Sequence, residues 1–136
     1  MPDEEAAMSL TRYAGAMLAE RVGVGAAAGL APGALLKAFG IDESEDSPTL
    51  RYFARLFAVR NAVLGVLVWE ARNDPRRLER VAWINAATEV IDAVAAAAPL
   101  ATGRTKPQAA AGAIGASLAV SAAFAGLAVA ARRAGG

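Results

Sequence analysis

The side chains with the most chemical potential in this chain are charged or amide groups set inside apolar surroundings. Asn85, Glu89 and Asp92 stand at i, i+4 and i+7 with Thr88 between them, so a helix through this stretch carries all three on one face. Glu20 and Arg21 fall inside a first apolar segment, and Arg60 with Asn61 inside a second. Counted at about 1.5 Å per residue from the expected helix ends, Arg21, Arg60 and Glu89 each lie roughly 15 Å in, at one depth. Two kinds of chemistry compete for such a cluster. In the first, Arg21 and Arg60 are matched by Glu89 and Asp92 in a network that fixes which helices pack together. Arg60 with Glu89 or Asp92 is the favoured pair, and Glu20 is left to bond Arg21, face water or hold a proton. In the second, Glu20, Arg21, Arg60, Asn85, Glu89 and Asp92 form the floor of a ligand pocket or a proton path.

Positioning these groups requires helices, and the chain is punctuated accordingly. Four apolar segments are expected as helices over residues 9–31, 48–71, 75–98 and 108–131. The first stops or kinks at Pro32-Gly33, because proline lacks an amide donor and crowds the preceding turn. Residues 34–39 make a short amphipathic piece with Lys37 beside Leu35, Leu36 and Phe39, suited to a membrane interface, and Gly40 is placed to cap it. An acidic, solvent-facing loop covers 42–46. Ser47-Pro48 and Asp74-Pro75 are both a cap followed by proline at the first helical position, where no amide donor is needed. Residues 102–107 form the last turn.

Three facts turn this helical pattern toward a membrane. The hydrophobic fraction is 56% and the mean hydropathy +0.36, above the usual range for soluble domains. No charge occurs between Gln108 and Ala131, long enough to cross the hydrocarbon, and Ile114, Leu118, Phe124 and Leu127 spread around that helix rather than along one stripe. The expected fold is therefore all-α: a four-transmembrane-helix bundle, antiparallel up-down, with a short interfacial helix after helix 1. The competing fold is a soluble alanine-rich bundle, which would use the same caps.

Small residues and aromatics fit the same picture. Gly112, Ala116, Ala119, Ala123 and Gly126 form a stripe along the last helix that suits close packing within the chain, and Gly23, Gly25 and Gly65 serve the same end in the first two. Trp69 and Trp83 sit toward one side as an aromatic belt. If both termini are cytoplasmic, that side holds Arg12, Arg72, Arg76, Arg77, Arg80, Arg132 and Arg133 against Lys37, Arg51, Arg55, Arg104 and Lys106 outside, which the positive-inside rule favours. Asp3, Glu4 and Glu5 stand where a cleaved export signal would be basic. Abundant alanine, glycine and arginine with little lysine fits a GC-rich bacterial genome, and hence a bacterial inner membrane.

Composition narrows the partners. The chain has no cysteine and no histidine, which removes disulfides, thiolate or imidazole metal sites and every imidazole base. A carboxylate-only metal site from Glu20, Glu89 and Asp92 is conceivable, but di-metal helical sites usually add histidines, so no metal is expected. No glycine-rich dinucleotide loop follows a strand, and no cofactor is expected. A net charge of +1 and 6% aromatic residues give no pull toward nucleic acid.

Arg21-Val-Gly-Val-Gly with Pro32 and Phe39-Gly40, Phe57-Ala-Val-Arg60-Asn-Ala-Val-Leu-Gly65, and the Asn85 to Asp92 stripe together resemble bacterial four-helix membrane proteins carrying a domain of unknown function, akin in layout to the DoxX-like group. The resemblance covers Ala14 to about Pro99 and implies a four-helix membrane fold without an established activity. Such families often show aspartate where this chain has Asn61. The partners expected are membrane lipid, a small hydrophobic ligand, and a membrane-protein partner or a homo-oligomer. Three functions stay open: a structural or accessory membrane protein, a module binding a small hydrophobic ligand at the Arg/carboxylate cluster, and a membrane-embedded enzyme. The enzyme would be an isomerase, hydratase or quinone-linked oxidoreductase acting on a lipid-like substrate, with Glu89 or Asp92 as general acid or base and Arg60 stabilising negative charge.

Overall fold

A computed structural model describes residues 2–38, 47–103 and 106–136. Phe39, the Gly40 cap, the acidic loop 42–46 and Arg104 lie outside the described residues. The rest is all-α, with α1 (Pro2–Leu30), α2 (Pro32–Ala38), α3 (Pro48–Ala71), α4 (Pro75–Ala101) and α5 (Pro107–Ala134).

Local chemistry explains most boundaries. The Ser47 hydroxyl accepts a hydrogen bond from the Leu50 amide at 3.2 Å, and the Asp74 carboxylate accepts one from the Arg77 amide at 3.1 Å, so both expected caps are made. The α1 backbone runs on to Ala31 through a bond from its amide to the Ala27 carbonyl, and α2 follows with Leu36 buried and Lys37 exposed. α1 begins at Pro2 rather than near Ser9, because Glu4 and Glu5 favour the positive end of the helix dipole and Ala7 is a strong helix former. α4 continues through Pro99 to Ala101; so near a helix end, proline removes only one backbone bond. Gly103, at φ 67°, then reverses the chain in a conformation that costs other residues a steric penalty.

Among the described residues, three helices and not four are long and apolar enough to cross a membrane: Pro48–Ala71, Pro75–Ala98 and Ala110–Ala134. α1 falls short because its apolar content is mostly alanine and glycine, and only fifteen uncharged residues separate Arg21 from Lys37. The outer faces of the three helices are apolar. Val59, Val63 and Val66 on α3, Ile84, Ile91 and Val94 on α4, and Leu118 and Val129 on α5 all face outward.

The helices associate as two close pairs, α1 with α3 and α4 with α5, joined by lighter contacts of α3 with α4 and α1 with α5. One apolar core binds the pairs together, built from Leu10 and Ala14 (α1), Val68 and Ala71 (α3), Leu78, Ala82 and Ala86 (α4), and Phe124, Leu127, Ala128 and Ala131 (α5). It occupies the end of the molecule that holds the α3–α4 turn. The polar residues come next along the axis.

Candidate functional site: a buried arginine network

α1 and α3 approach closely enough to bring Arg21 into the centre. A Cβ built on Gly65 would stand 3.0 Å from Arg21 Cβ and 3.2 Å from Leu18 Cδ1, and one on Gly25 would stand 3.1 Å from the Ala58 carbonyl. At both positions the close approach relies on the absence of a side chain. Gly23 has nothing within 4 Å and does not share that role. The small-residue stripe of α5 also divides. Ala123 accepts a hydrogen bond from the Tyr13 hydroxyl at 2.6 Å and Gly126 lies against the same hydroxyl, whereas Gly112, Ala116 and Ala119 face outward.

Arg21 is 1% exposed and is the largest of the fully buried side chains. Its Nε donates to Asn85 Oδ1 at 3.0 Å, and its Nη1 donates to Asn61 Oδ1 at 2.8 Å and to Glu89 Oε1. The two asparagines are held ready for this. Asn61 Nδ2 donates to the Phe57 carbonyl at 2.9 Å and Asn85 Nδ2 to the Val81 carbonyl at 3.0 Å, one turn back in each case, which leaves each amide oxygen turned to the guanidinium. Phe124 closes the face of the cation, with the guanidinium carbon 4.7 Å from the ring centroid. One residue of α1 thereby ties α3, α4 and α5 together.

Arg60 and Asp92 form a second pair, α3 to α4. The guanidinium donates through Nη1 to Oδ1 at 2.8 Å and through Nη2 to Oδ2, a bidentate fork, with the Phe57 ring 4.8 Å from the guanidinium carbon. This pair is less enclosed, its side chains being 36% and 22% exposed. Arg21 stands between two carboxylates, bonding Glu89 through Nη1 and lying close to Glu20 through Nε. Opposite charges therefore alternate within each group, Glu20–Arg21–Glu89 in one and Arg60–Asp92 in the other. Three buried atoms have no hydrogen-bond partner among the described residues: Glu20 Oε2, Arg21 Nη2 and Arg60 Nε.

All six residues expected from the sequence meet in this region, with the partners divided as Arg21–Glu89 and Arg60–Asp92. Glu20 stands at the edge, its Oε2 3.8 Å from Arg21 Nε. Asn61 belongs with them as a direct acceptor, and its place at the same depth as Arg60 was the available signal. Phe124 and Phe57 carry no polar mark in the sequence, and nothing there distinguished them from other core aromatics. Among the described residues, Glu20, Glu89 and Asp92 are not gathered into a group that could hold a metal ion. Trp69 lies two residues from the end of α3 with Arg72 stacked on its ring at 4.0 Å, while Trp83 sits eight residues into α4. No protein-family model, curated protein or solved structure matches this chain.

Proposed function

We propose that this chain is a multi-pass membrane protein with a structural or accessory role, in which α1 joins α3, α4 and α5 as a fourth span. The layout would then be the antiparallel four-helix one that its DoxX-like motifs imply, with α2 at the interface. The observation that carries this reading is Arg21, nearly fully buried nine residues before the end of α1 and bonded to Asn61, Asn85 and Glu89. A charge alone at mid-membrane costs at least about 2.5–3.5 kcal/mol on insertion scales, so α1 is too polar to enter by itself. Supplied with acceptors on helices already apolar enough to insert, its arginine becomes the lock that holds it.

The positive-inside balance supports both termini on the cytoplasmic side, and the alanine-, glycine- and arginine-rich composition supports a bacterial inner membrane as the location. Against a catalytic role stands the engagement of the two best acid/base candidates, since Glu89 and Asp92 each carry an arginine. Fractionation of the expressed protein tests the membrane assignment. Retention through high-salt and carbonate washes with release by detergent is expected; a folded helical species in the soluble fraction overturns it.

A second reading has its own observation. Glu20 Oε2 and Arg21 Nη2, neighbours on α1, are buried acceptor and donor atoms without a hydrogen-bond partner among the described residues, which suits the polar end of a small hydrophobic ligand. A compound that copurifies with the wild type and is lost from Glu20→Gln, seen by mass spectrometry of the organic extract, would favour this over a purely structural role.

A further inference from the structure

The ion pair between α3 and α4 lies on an outward face that is otherwise apolar. Leu56, Arg60, Val63 and Leu67 stand at i, i+4, i+7 and i+11 on α3, and Ile84, Thr88, Ile91 and Ala95 repeat that spacing on α4. Leu56, Val63, Leu67, Ile84 and Ile91 are all exposed. Arg60 is the thirteenth residue of a 24-residue helix, so the half-open pair sits at mid-span. On the membrane reading of the preceding subsection, on which this inference rests, that is where lipid tails solvate charge worst.

We propose that this face is covered by a second copy of the chain, related by a two-fold axis parallel to the helices. The charges specify that occupant. Arg60 and Asp92 bond to each other, so they lie at one level on adjacent antiparallel helices. A two-fold axis beside the groove then sets Arg60 of each copy opposite Asp92 of the other, closing a ring of four alternating charges. The flanking rows follow the same symmetry, with Leu56 at the level of Ala95 in the facing copy. An isologous contact of this kind is self-complementary, and the apolar rows on either side seal the ring from lipid.

Charge reversal separates contacts between copies from contacts within one. Arg60→Asp places four negative groups in a homodimer and Asp92→Arg four positive ones, and each variant should associate at least about tenfold more weakly than wild type. Mixed together, the two variants should form a heterodimer, since every contact between copies is again between opposite charges even though each chain's internal pair repels. The readout is mass by light scattering in mild detergent, with helical circular dichroism as the check on folding. A second measurement leaves the charges intact: chains carrying Leu56→Cys and Ala95→Cys are co-expressed and oxidised in membranes. The native chain has no cysteine, so a mixed disulfide dimer reports this contact alone.

Expected are a wild-type dimer, weakened single variants, a restored mixture and the mixed disulfide. A wild type that is monomeric in membranes, single variants that dimerise normally, or absence of the mixed disulfide overturns the proposal. So does a different membrane protein seated against a monomer. Carbonate extraction of the same preparation distinguishes failures: release by carbonate removes the membrane reading itself, whereas a retained monomer removes only the dimer.

Discussion

Arg21→Met removes one guanidinium and disturbs four helices, which makes its cost large and calculable. The Glu89 carboxylate is left buried without its cation, and breaking a buried pair from one side costs about 3–5 kcal/mol. Asn61 Oδ1 and Asn85 Oδ1 lose their donor too, at about 1–3 kcal/mol for each orphaned acceptor. These costs overlap because the three acceptors share one cation, so the net loss is about 5 kcal/mol, a large part of an ordinary stability of 5–15 kcal/mol. Pairing the change with Glu89→Met removes the uncompensated charge and leaves only the amide orphans. Recovery of about 2–3 kcal/mol over the single variant is expected. The assay is unfolding by SDS titration from mild-detergent micelles, followed by the fluorescence of Trp69 and Trp83. A loss under about 1 kcal/mol for Arg21→Met, or a double variant as unstable as the sum of the two singles, would refute the claim that the network holds α1 in place.

Other substitutions probe separate parts of the arrangement. Gly65→Ala should destabilise by about 1–3 kcal/mol, since its Cβ meets Arg21 Cβ at 3.0 Å, whereas Gly23→Ala has open space and should stabilise by about 0.5–1 kcal/mol; the same titration reads both. Phe124→Ala should cost about 3–5 kcal/mol by opening a cavity under the Arg21 cation, and a small aromatic such as benzene added to the detergent solution should restore part of the loss. Arg60→Ala should couple more strongly to Asp92→Ala than to Glu89→Ala in double-mutant cycles, because the bidentate fork is made with Asp92; equal coupling to both would contradict the division of partners.

Much of this arrangement is written locally in the chain. Ser47-Pro48 and Asp74-Pro75 announce helix starts because caps are short-range chemistry, and the i, i+4, i+7 spacing of Asn85, Glu89 and Asp92 puts them on one face whatever surrounds them. Which arginine meets which carboxylate is another matter. It depends on how α1 sits against α3, and that is decided by the absence of side chains at Gly25 and Gly65, which look no different in sequence from Gly23. The start of α1 was obscured because residues 3–7 are helical through propensity and dipole effects and contribute nothing to an apolar pattern. α1 falls short of the apolarity of the other three long helices for a related reason, since alanine and glycine extend an uncharged run without making it strongly hydrophobic. Phe124 is one apolar residue among many in α5 until Arg21 is placed over its ring.

Whether α1 crosses the membrane is the point on which the rest depends, and labelling from each side decides it most directly. Glu5→Cys near the start of α1 and Lys37→Cys at the end of α2, both at exposed positions in a chain without native cysteine, would be treated with a membrane-impermeant thiol reagent in right-side-out and inverted vesicles. Labelling of the two positions from opposite faces is the expected result, with Glu5→Cys reacting in inverted vesicles. Labelling of both from one face would mean that α1 does not span, and the Arg21 network would then have to be explained without a bilayer around it.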